Sequence, residues 1–416
     1  MMDICSKIDR LIFKNREQIL FDDFSYEVYD KINEIPSADW EIANPSNHFF
    51  LTLNYLKVNE FVFTDNGIRF KYALVHKNKQ PVLAAVFQVI DFSASVFGSI
   101  IQHQLAEIKS SKIKLFEHYI DHKKNDIVLK LITCGNNLIS GQHAFVHSAS
   151  ITTANAFDIV KRLTDVISKT EKLRGKISAI LIKDFEKNNY SDYSFGEKYN
   201  QVSVEPNMVI QLPNELKDVN DYLQHFSKKY RNRAKTIFKK FDGLNKKELS
   251  ITDAENYKLD IFKLYEQVYN RAKFKLVKLS PDYFVQMKQM FPDQFFIRAY
   301  FRAGELVAFQ SGFILEESIE AHYVGFDEKY NEEYECYQNL LYDFINTAII
   351  NKKKTIQLGR TAAEIKSTVG AKPVELVCYI RPQNTISKLI MNPFIKFLEP
   401  NEWIPRDPFK KVDDVK

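Results

Sequence analysis

The sequence predicts an α/β fold with mixed sheets (α+β in arrangement), in two similar domains set in tandem, and three observations lead there. At 416 residues the chain exceeds what one ordinary hydrophobic core accommodates. Its C-terminal half reads strand, strand, helix, strand between Phe295 and Ile380. Its N-terminal half reads helix, hairpin, strand, helix, strand, so the same order recurs without visible sequence identity between the halves. A composition 45% apolar and 13% aromatic, with only 12 Gly and 13 Pro, supplies two cores and leaves little for low-complexity linkers.

In chain order, residues 1–40 read as a lead-in with no chemistry visible. Asn44-Pro45-Ser46 opens a helix through Phe49, Leu53, Tyr55 and Leu56, and Asn66-Gly67 marks a tight turn. Phe70–His76 and Val82–Phe92 form a hairpin about Lys77–Pro81. Ile127–Cys134 is a strand, Ala154–Val166 a helix with Phe157, Val160, Leu163 and Val166 on one side, and Ile177–Ile182 a buried strand. These compose a first domain over 41–205. The second, over 206–400, starts with strand Asn207–Leu212 and one long helix from Asp218 to Phe241, whose apolar stripe is Val219, Tyr222, Phe226, Tyr230, Ala234, Ile237 and Phe241. A helix over Asn256–Arg271 follows. Phe295–Tyr300 and Leu306–Leu315 flank Ala303-Gly304-Glu305, a hairpin signal. Ile319–Val324 is a third strand, and Tyr337, Leu340, Leu341, Phe344, Ile345 and Ala348 fall at helical spacing. Ile356–Leu358 is a short strand broken by Gly359. Residues 401–416 read as a peripheral tail.

Four widely separated Cys, with no C-x-x-C pair, favour a reducing compartment over a disulfide framework or structural zinc, and no metal is expected. The N-terminus is charged where a signal peptide needs an apolar run, and Pro81–Ile101 breaks near Asp91, so neither an exported nor a membrane-spanning protein is expected and the chain reads as cytoplasmic. The net charge of +5 is mild but uneven: Lys228–Lys247 crowds Lys and Arg against a single acid, Asp242. No H-E-x-x-H, Walker motif, G-x-G-x-x-G or serine elbow is present, which argues against metalloprotease, kinase, dehydrogenase and hydrolase chemistry.

The Gly304 hairpin with Val307-Ala308, the loop Gly325-Phe326-Asp327-Glu328-Lys329-Tyr330, the helix after it, and Leu358-Gly359-Arg360-Thr361 through Ser367 before Gly370 together resemble the GNAT acyltransferase fold. More narrowly they resemble tandem-GNAT proteins related to the FemABX transferases and the BioF2-like acetyltransferase group. The resemblance implies an N-acyltransferase that takes an acyl group from an acyl-CoA-type thioester to an amine acceptor, a small molecule or a lipid, with no permanently bound cofactor. Acyl-CoA is then the co-substrate. The alternatives are aminoacyl transfer from charged tRNA, as in FemABX relatives, and a GNAT-like binding protein without activity. DNA is not an expected partner.

The resemblance also directs attention to particular residues. Arg231 and Arg233 lie where such proteins carry a basic helix, and guanidinium forks suit donor phosphates; a solvated helix face is the bland alternative. Gln338 and Asn339 begin the helix whose N-terminus would meet the donor pyrophosphate. The glycine-rich phosphate pattern expected in the loop Lys329–Glu335 is absent, replaced by the acidic Asn331-Glu332-Glu333-Tyr334-Glu335. Gly359, Arg360 and Lys366 would line the substrate cleft. For catalysis, strand alternation puts Glu320, His322 and Val324 on one face and Ile319, Ala321 and Tyr323 on the other. A carboxylate beside an imidazole could take the proton of an attacking ammonium, and Tyr337 (or Tyr323) could protonate a departing thiolate. A solvent-facing strand edge gives the same alternation. His143 reads as part of a structural loop.

Overall fold

The computed structural model describes residues 18–63, 67–93, 128–272, 277–384, 387–388, 395, 398–400 and 402–410. The N-terminal residues before Gln18, Cys5 among them, and residues 94–127, which include the end of the Pro81–Ile101 stretch and Ile127 of the expected strand, lie outside the described residues. The chain divides into two compact units, one of residues 1–204 with 376–400, the other of 205–375 with 401–416.

In the first unit the strands are β1 (Gln18–Phe21), β2 (Phe24–Tyr29), β3 (Ile68–Lys77), β4 (Gln80–Ser93), β5 (Val128–Cys134), β6 (Phe145–His147) and β7 (Ile177–Glu186). They pair in the order β1-β2-β3-β4-β5-β7, with β6 on β4. All neighbours are antiparallel except β5 and β7, which run parallel across helix α3. Helices α1 (Ser37–Ala43) and α2 (Leu53–Phe63) precede the β3–β4 hairpin, and α3 (Thr153–Lys172) is longer than its sequence pattern indicated. A capping box at Thr152, whose hydroxyl accepts from Asn155 N–H, starts α3. Its Phe157, Val160, Leu163 and Ile167 pack into one core with Phe145, Ile180, Ile182 and Phe185.

Two boundaries depart from the sequence-based division. Residues 1–40 are not a mere lead-in: β1 and β2 extend the sheet from its edge, and α1 follows. Residues 206–400 do not stay in one body, because the last strand, here β14 (Lys372–Pro382), pairs antiparallel with β7 from Leu376↔Glu186 to Pro382↔Ala179. That pairing groups residues 376–400 with the first unit.

The second unit orders its strands β8 (Asn200–Gln211, entering from the first unit), β13 (Thr355–Gln357), β12 (Ser318–Phe326), β11 (Glu305–Ile314), β10 (Phe295–Arg302) and β9 (Asn245–Glu248). Only β12 and β13 are parallel. Helices α4 (Val219–Gln224), α5 (Lys228–Phe241), α6 (Ile251–Asn256), α7 (Lys258–Arg271) and α8 (Tyr283–Met290) precede the β10–β11 hairpin; α9 (Glu328–Tyr334) and α10 (Cys336–Ile350) join β12 to β13; and α11 (Ala363–Ser367) follows β13. The antiparallel hairpin, third strand, crossing helix and parallel strand thus occur in both units.

The single long helix expected over 218–241 is two. Phe226 forms an isolated antiparallel bridge with Phe409, and Ser227 N–H donates to the Pro408 carbonyl at 2.8 Å, so the backbone is extended at the stripe's midpoint. For the same reason the tail is not peripheral. The Phe409 ring meets Phe226 edge-on at 5.3 Å and Tyr222 at 6.1 Å, and Trp403 also packs on this core.

Candidate active site

β12 pairs with β13 only through Ser318↔Thr355, Ile319↔Ile356 and Glu320↔Gln357. β13 then stays with β8: Leu358 N–H donates to the Met208 carbonyl at 2.8 Å, and Met208 N–H to the Gly359 carbonyl at 3.1 Å. β12 runs on to Phe326 alongside β11. Two parallel strands therefore part after Glu320, and among the described residues no strand lies against β12 on the side β13 has left. Backbone polar groups of β12 face a notch there, and such groups need partners.

A bulge sits beside the notch. On β11, Gln310 faces Val324 and Gly312 faces Ala321, so His322 and Tyr323 together oppose Ser311. The Ser311 hydroxyl stabilises the bulge: it accepts from Tyr323 N–H at 3.2 Å and donates to the Tyr323 carbonyl at 3.1 Å. The extra residue corrects the expected alternation. Ile319, Ala321 and Val324 all pack with Leu341, Phe344 and Ile345 on the α10 face. His322 and Tyr323 both lie on the opposite face, where the Tyr283 hydroxyl and His322 Nε2 are 2.6 Å apart and Tyr323 meets Tyr265 of α7 edge-on. Helix α7 is pressed on β12 at Gly325, where a Cβ would stand 2.7 Å from Tyr265 N.

The three residues expected to carry catalysis are accordingly divided. Glu320 and His322 lie on the α7–α8 face. Tyr337 lies on the α10 face, where its ring packs against Phe326 and Val324. Burial pushes the Glu320 carboxyl well above its ordinary range, lowers His322 to about 3 and raises the Tyr337 phenol. Burial thus favours the neutral form of both Glu320 and His322, and neither is poised as a base in this state.

The residues after β13 do come together. Gly359 has φ +72° and open space where a side chain would begin. Thr361 and Ala362 are also left-handed, with φ of 64° and 49°. This strained loop is held from beneath by Lys366, which is buried and donates its ammonium hydrogens to the carbonyls of Gly359 at 3.1 Å and Arg360 at 2.5 Å. Burial lowers Lys366 to about 7, with Glu205 opposing the shift. Beside it Asn207 Nδ2 donates to Gln357 Oε1 at 2.7 Å, joining β8 to β13.

The expected donor-binding residues are placed differently. The supposed loop Lys329–Glu335 is largely helix α9, closed by Glu335 in the left-handed conformation. Asn331 Oδ1 accepts from Tyr337 N–H at 3.2 Å and so caps the start of α10. Gln338 Nε2 donates to Glu335 Oε2 at 3.2 Å. The buried Asn339 amide donates to the carbonyls of Ile237, Tyr334 and Glu335, which commits it to tying α5 and α9 to α10. Arg231 and Arg233 project from α5, the half-buried Arg231 reaching Gln224 at 3.4 Å and Arg233 exposed.

One polar network has no single-residue signal in the sequence. Asp343 of α10 accepts from Arg298 at 2.9 Å, Tyr300 at 2.8 Å and Gln310 at 2.5 Å, and pairs with Lys246, fastening the helix to β9, β10 and β11. In the first unit His143 lies in a loop as expected, its Nε2 2.9 Å from the Ser140 carbonyl and its Nδ1 3.3 Å from His48, a neighbour that spacing could not reveal.

No family model and no curated protein matches the chain. Among solved structures it is similar to FemX, at 10% identity over 88% of this chain and 99% of that one, with a TM-score of 0.48. It is also similar to a tandem GNAT protein from the clavulanic acid biosynthesis pathway, at 6% identity over 86% and 98% of the two chains and a TM-score of 0.47. A third is L-PGS from Bacillus licheniformis, at 13% identity over 65% and 83% and a TM-score of 0.40. Among the described residues no helix is long and apolar enough to cross a membrane.

Proposed function

We propose that the second unit is an N-acyltransferase that uses an acyl-CoA-type thioester, with the notch between β12 and β13 as its reaction site. The reading rests on one observation, the parting of two parallel strands after Glu320 beside the bulge at His322–Tyr323. An extended thioester can lie in such an opening as a third, non-peptide strand, its carbonyl oxygen meeting backbone N–H groups that no strand uses. The acceptor nitrogen attacks the carbonyl carbon, the C–S bond breaks, an amide forms, and the proton lost by the amine ends on the departing thiolate. Positioning supplies most of such a rate enhancement, consistent with a chain that has no nucleophile motif. Gly359 allows backbone approach, and Arg360 stands at the end of β13.

Titration with acetyl-CoA and a long-chain acyl-CoA, followed by calorimetry and thiol release with amine acceptors, tests this reading. Saturable binding with acceptor-dependent thiol release supports it; absence of binding by both donors removes it and favours a GNAT-like binding protein. Arg360→Ala should reduce turnover at least tenfold, about 1.4 kcal/mol of transition-state stabilisation, measured at a temperature where the variant is fully folded. Full activity would take Arg360 out of the site.

A second reading is favoured by the exposed cations of α5 together with the acidic α9, which opposes phosphate approach to the start of α10: the donor is aminoacyl-tRNA. Arg231→Ala with Arg233→Ala should then weaken donor binding by roughly 1.5–3 kcal/mol per charge-assisted bond lost, and flatten its dependence on salt. Lys239→Gln with Lys240→Gln should do much less. Equal losses from the two pairs would identify α5 as a diffuse solvated face.

A further inference from the structure

We infer that the first unit holds a separate site for a small phosphate-bearing anion, in the groove between the C-terminal half of α3, the turn before β8 and the end of β14. This groove encloses about 760 Å³, within the range of small-ligand sites. Its cationic lining is Lys169, Lys172, Lys198, Lys388 and Arg381, drawn from four separate stretches of chain, against two carboxylates, Asp165 and Glu197. Two of the lysines, Lys169 and Lys172, occupy the last turn of α3, where the helix dipole alone would account for them. The dipole does not account for Lys198 or Lys388, which lie on other segments and face the same groove.

Arg381 makes this more than a charged surface. It is only 8% exposed, lies 4.8 Å over the Tyr199 ring and pairs with Asp165 at 2.5 Å. Its Nε is buried with no hydrogen-bond partner. A buried guanidinium N–H without an acceptor costs free energy, so the Arg381 head is held in this place at a cost, and planar guanidinium donors match phosphate oxygens. The aromatic ring beneath fixes the plane of the fork, while the exposed lysines around it supply long-range attraction. Asn200 adds a neutral donor on the rim. A phosphate ester or diphosphate offsets the surplus of positive charge, whereas a carboxylate or sulfate-ester monoanion neutralises less of it.

The test is calorimetry on the full chain at fixed ionic strength, with inorganic pyrophosphate and glucose 6-phosphate as probes. The wild type should bind at least one of them saturably. The double variant Lys169→Glu, Lys172→Glu alters exposed side chains and should weaken binding at least tenfold. Lys388→Glu, on a different segment, should weaken it as well, whereas Lys239→Gln with Lys240→Gln on α5 should leave it unchanged. The tighter probe assigns the ligand to free or esterified phosphate. No saturable binding by the wild type, wild-type affinity in both groove variants, or a loss confined to Arg231→Ala with Arg233→Ala would overturn the site. These outcomes are independent of whether acyl-CoA binds the second unit.

Discussion

Asp343→Ala should destabilise the protein by about 3–5 kcal/mol, the cost of leaving a buried charge without its partner. The Asp343 and Arg298 side chains are each 11% exposed, and the substitution also orphans the Tyr300 hydroxyl and the Gln310 amide. Burial alone would raise this carboxyl, but Arg298 and Lys246 outweigh burial and hold it below the ordinary aspartate value. Its ionic contribution is therefore fully present above the unfolded aspartate pKa, about 3.9, and is lost as pH falls through the lower folded value. Urea unfolding at pH 7 should show the full loss. Asp343→Asn keeps the shape and one acceptor, so it should lie between the alanine variant and wild type. A loss under 1 kcal/mol for the alanine variant would mean that Glu248, 3.2 Å from Arg298, suffices as its partner. The function of α10 should fail with its anchorage, since this helix closes one face of the strands that part at Glu320.

Local chemistry made part of this architecture legible. Ala303 and Gly304 turn with φ of 48° and 87°, the two left-handed residues that a tight hairpin requires, and the flanking strands fell close to their sequence-based limits. The helix after Glu335 was visible because its apolar stripe meets the core at helical spacing. What was not legible is non-local. The break at Phe226 depends on Phe409, far along the chain, and an apolar residue at the correct spacing gives no hint of it. β14 carries an ordinary buried-strand pattern, and nothing in that pattern says whether its neighbour is in the second unit or is β7. The bulge at His322–Tyr323 was hidden for a related reason: period-2 alternation assumes one residue opposite one residue, and a single extra residue inverts every face after it. Glu320 and His322, which precede the extra residue's effect, do share a face as alternation indicates, whereas Tyr323 and Val324 lie on the faces opposite to those it assigned. Of the candidate site, Gly359, Arg360 and Lys366 were found together because they are close in sequence. Asn339 was misread because a polar residue near a helix start suits a ligand or a buried backbone clasp equally well until its three carbonyl acceptors are known.

Replacing Lys366 should change how stability responds to alkali. This side chain is buried, and burial lowers it to about 7, against about 10.4 for a lysine in the unfolded chain. Between those values the unfolded state binds the extra proton, so stability rises with pH across that window, by up to about 1.4 kcal/mol per pH unit for one group. Below pH 7 both states are protonated and the penalty is constant; above pH 10.4 both are neutral and it has vanished. Lys366→Met removes the titrating group while keeping most of its volume. Urea midpoints from pH 7 to 9.5 should therefore show the wild type gaining steadily on the variant, with other titrating groups cancelling in the difference. Near pH 7 the variant is relieved of a buried ammonium but loses the donors to the Gly359 and Arg360 carbonyls, so its net stability should change less than its pH slope. Activity provides the second readout. Without those two bonds the left-handed turn at Thr361 and Ala362 loses its support, and turnover should drop even where the variant is as stable as wild type. Parallel stability curves would show that Lys366 keeps an ordinary pKa and is hydrated, and unchanged turnover would show that the loop holds its shape without it.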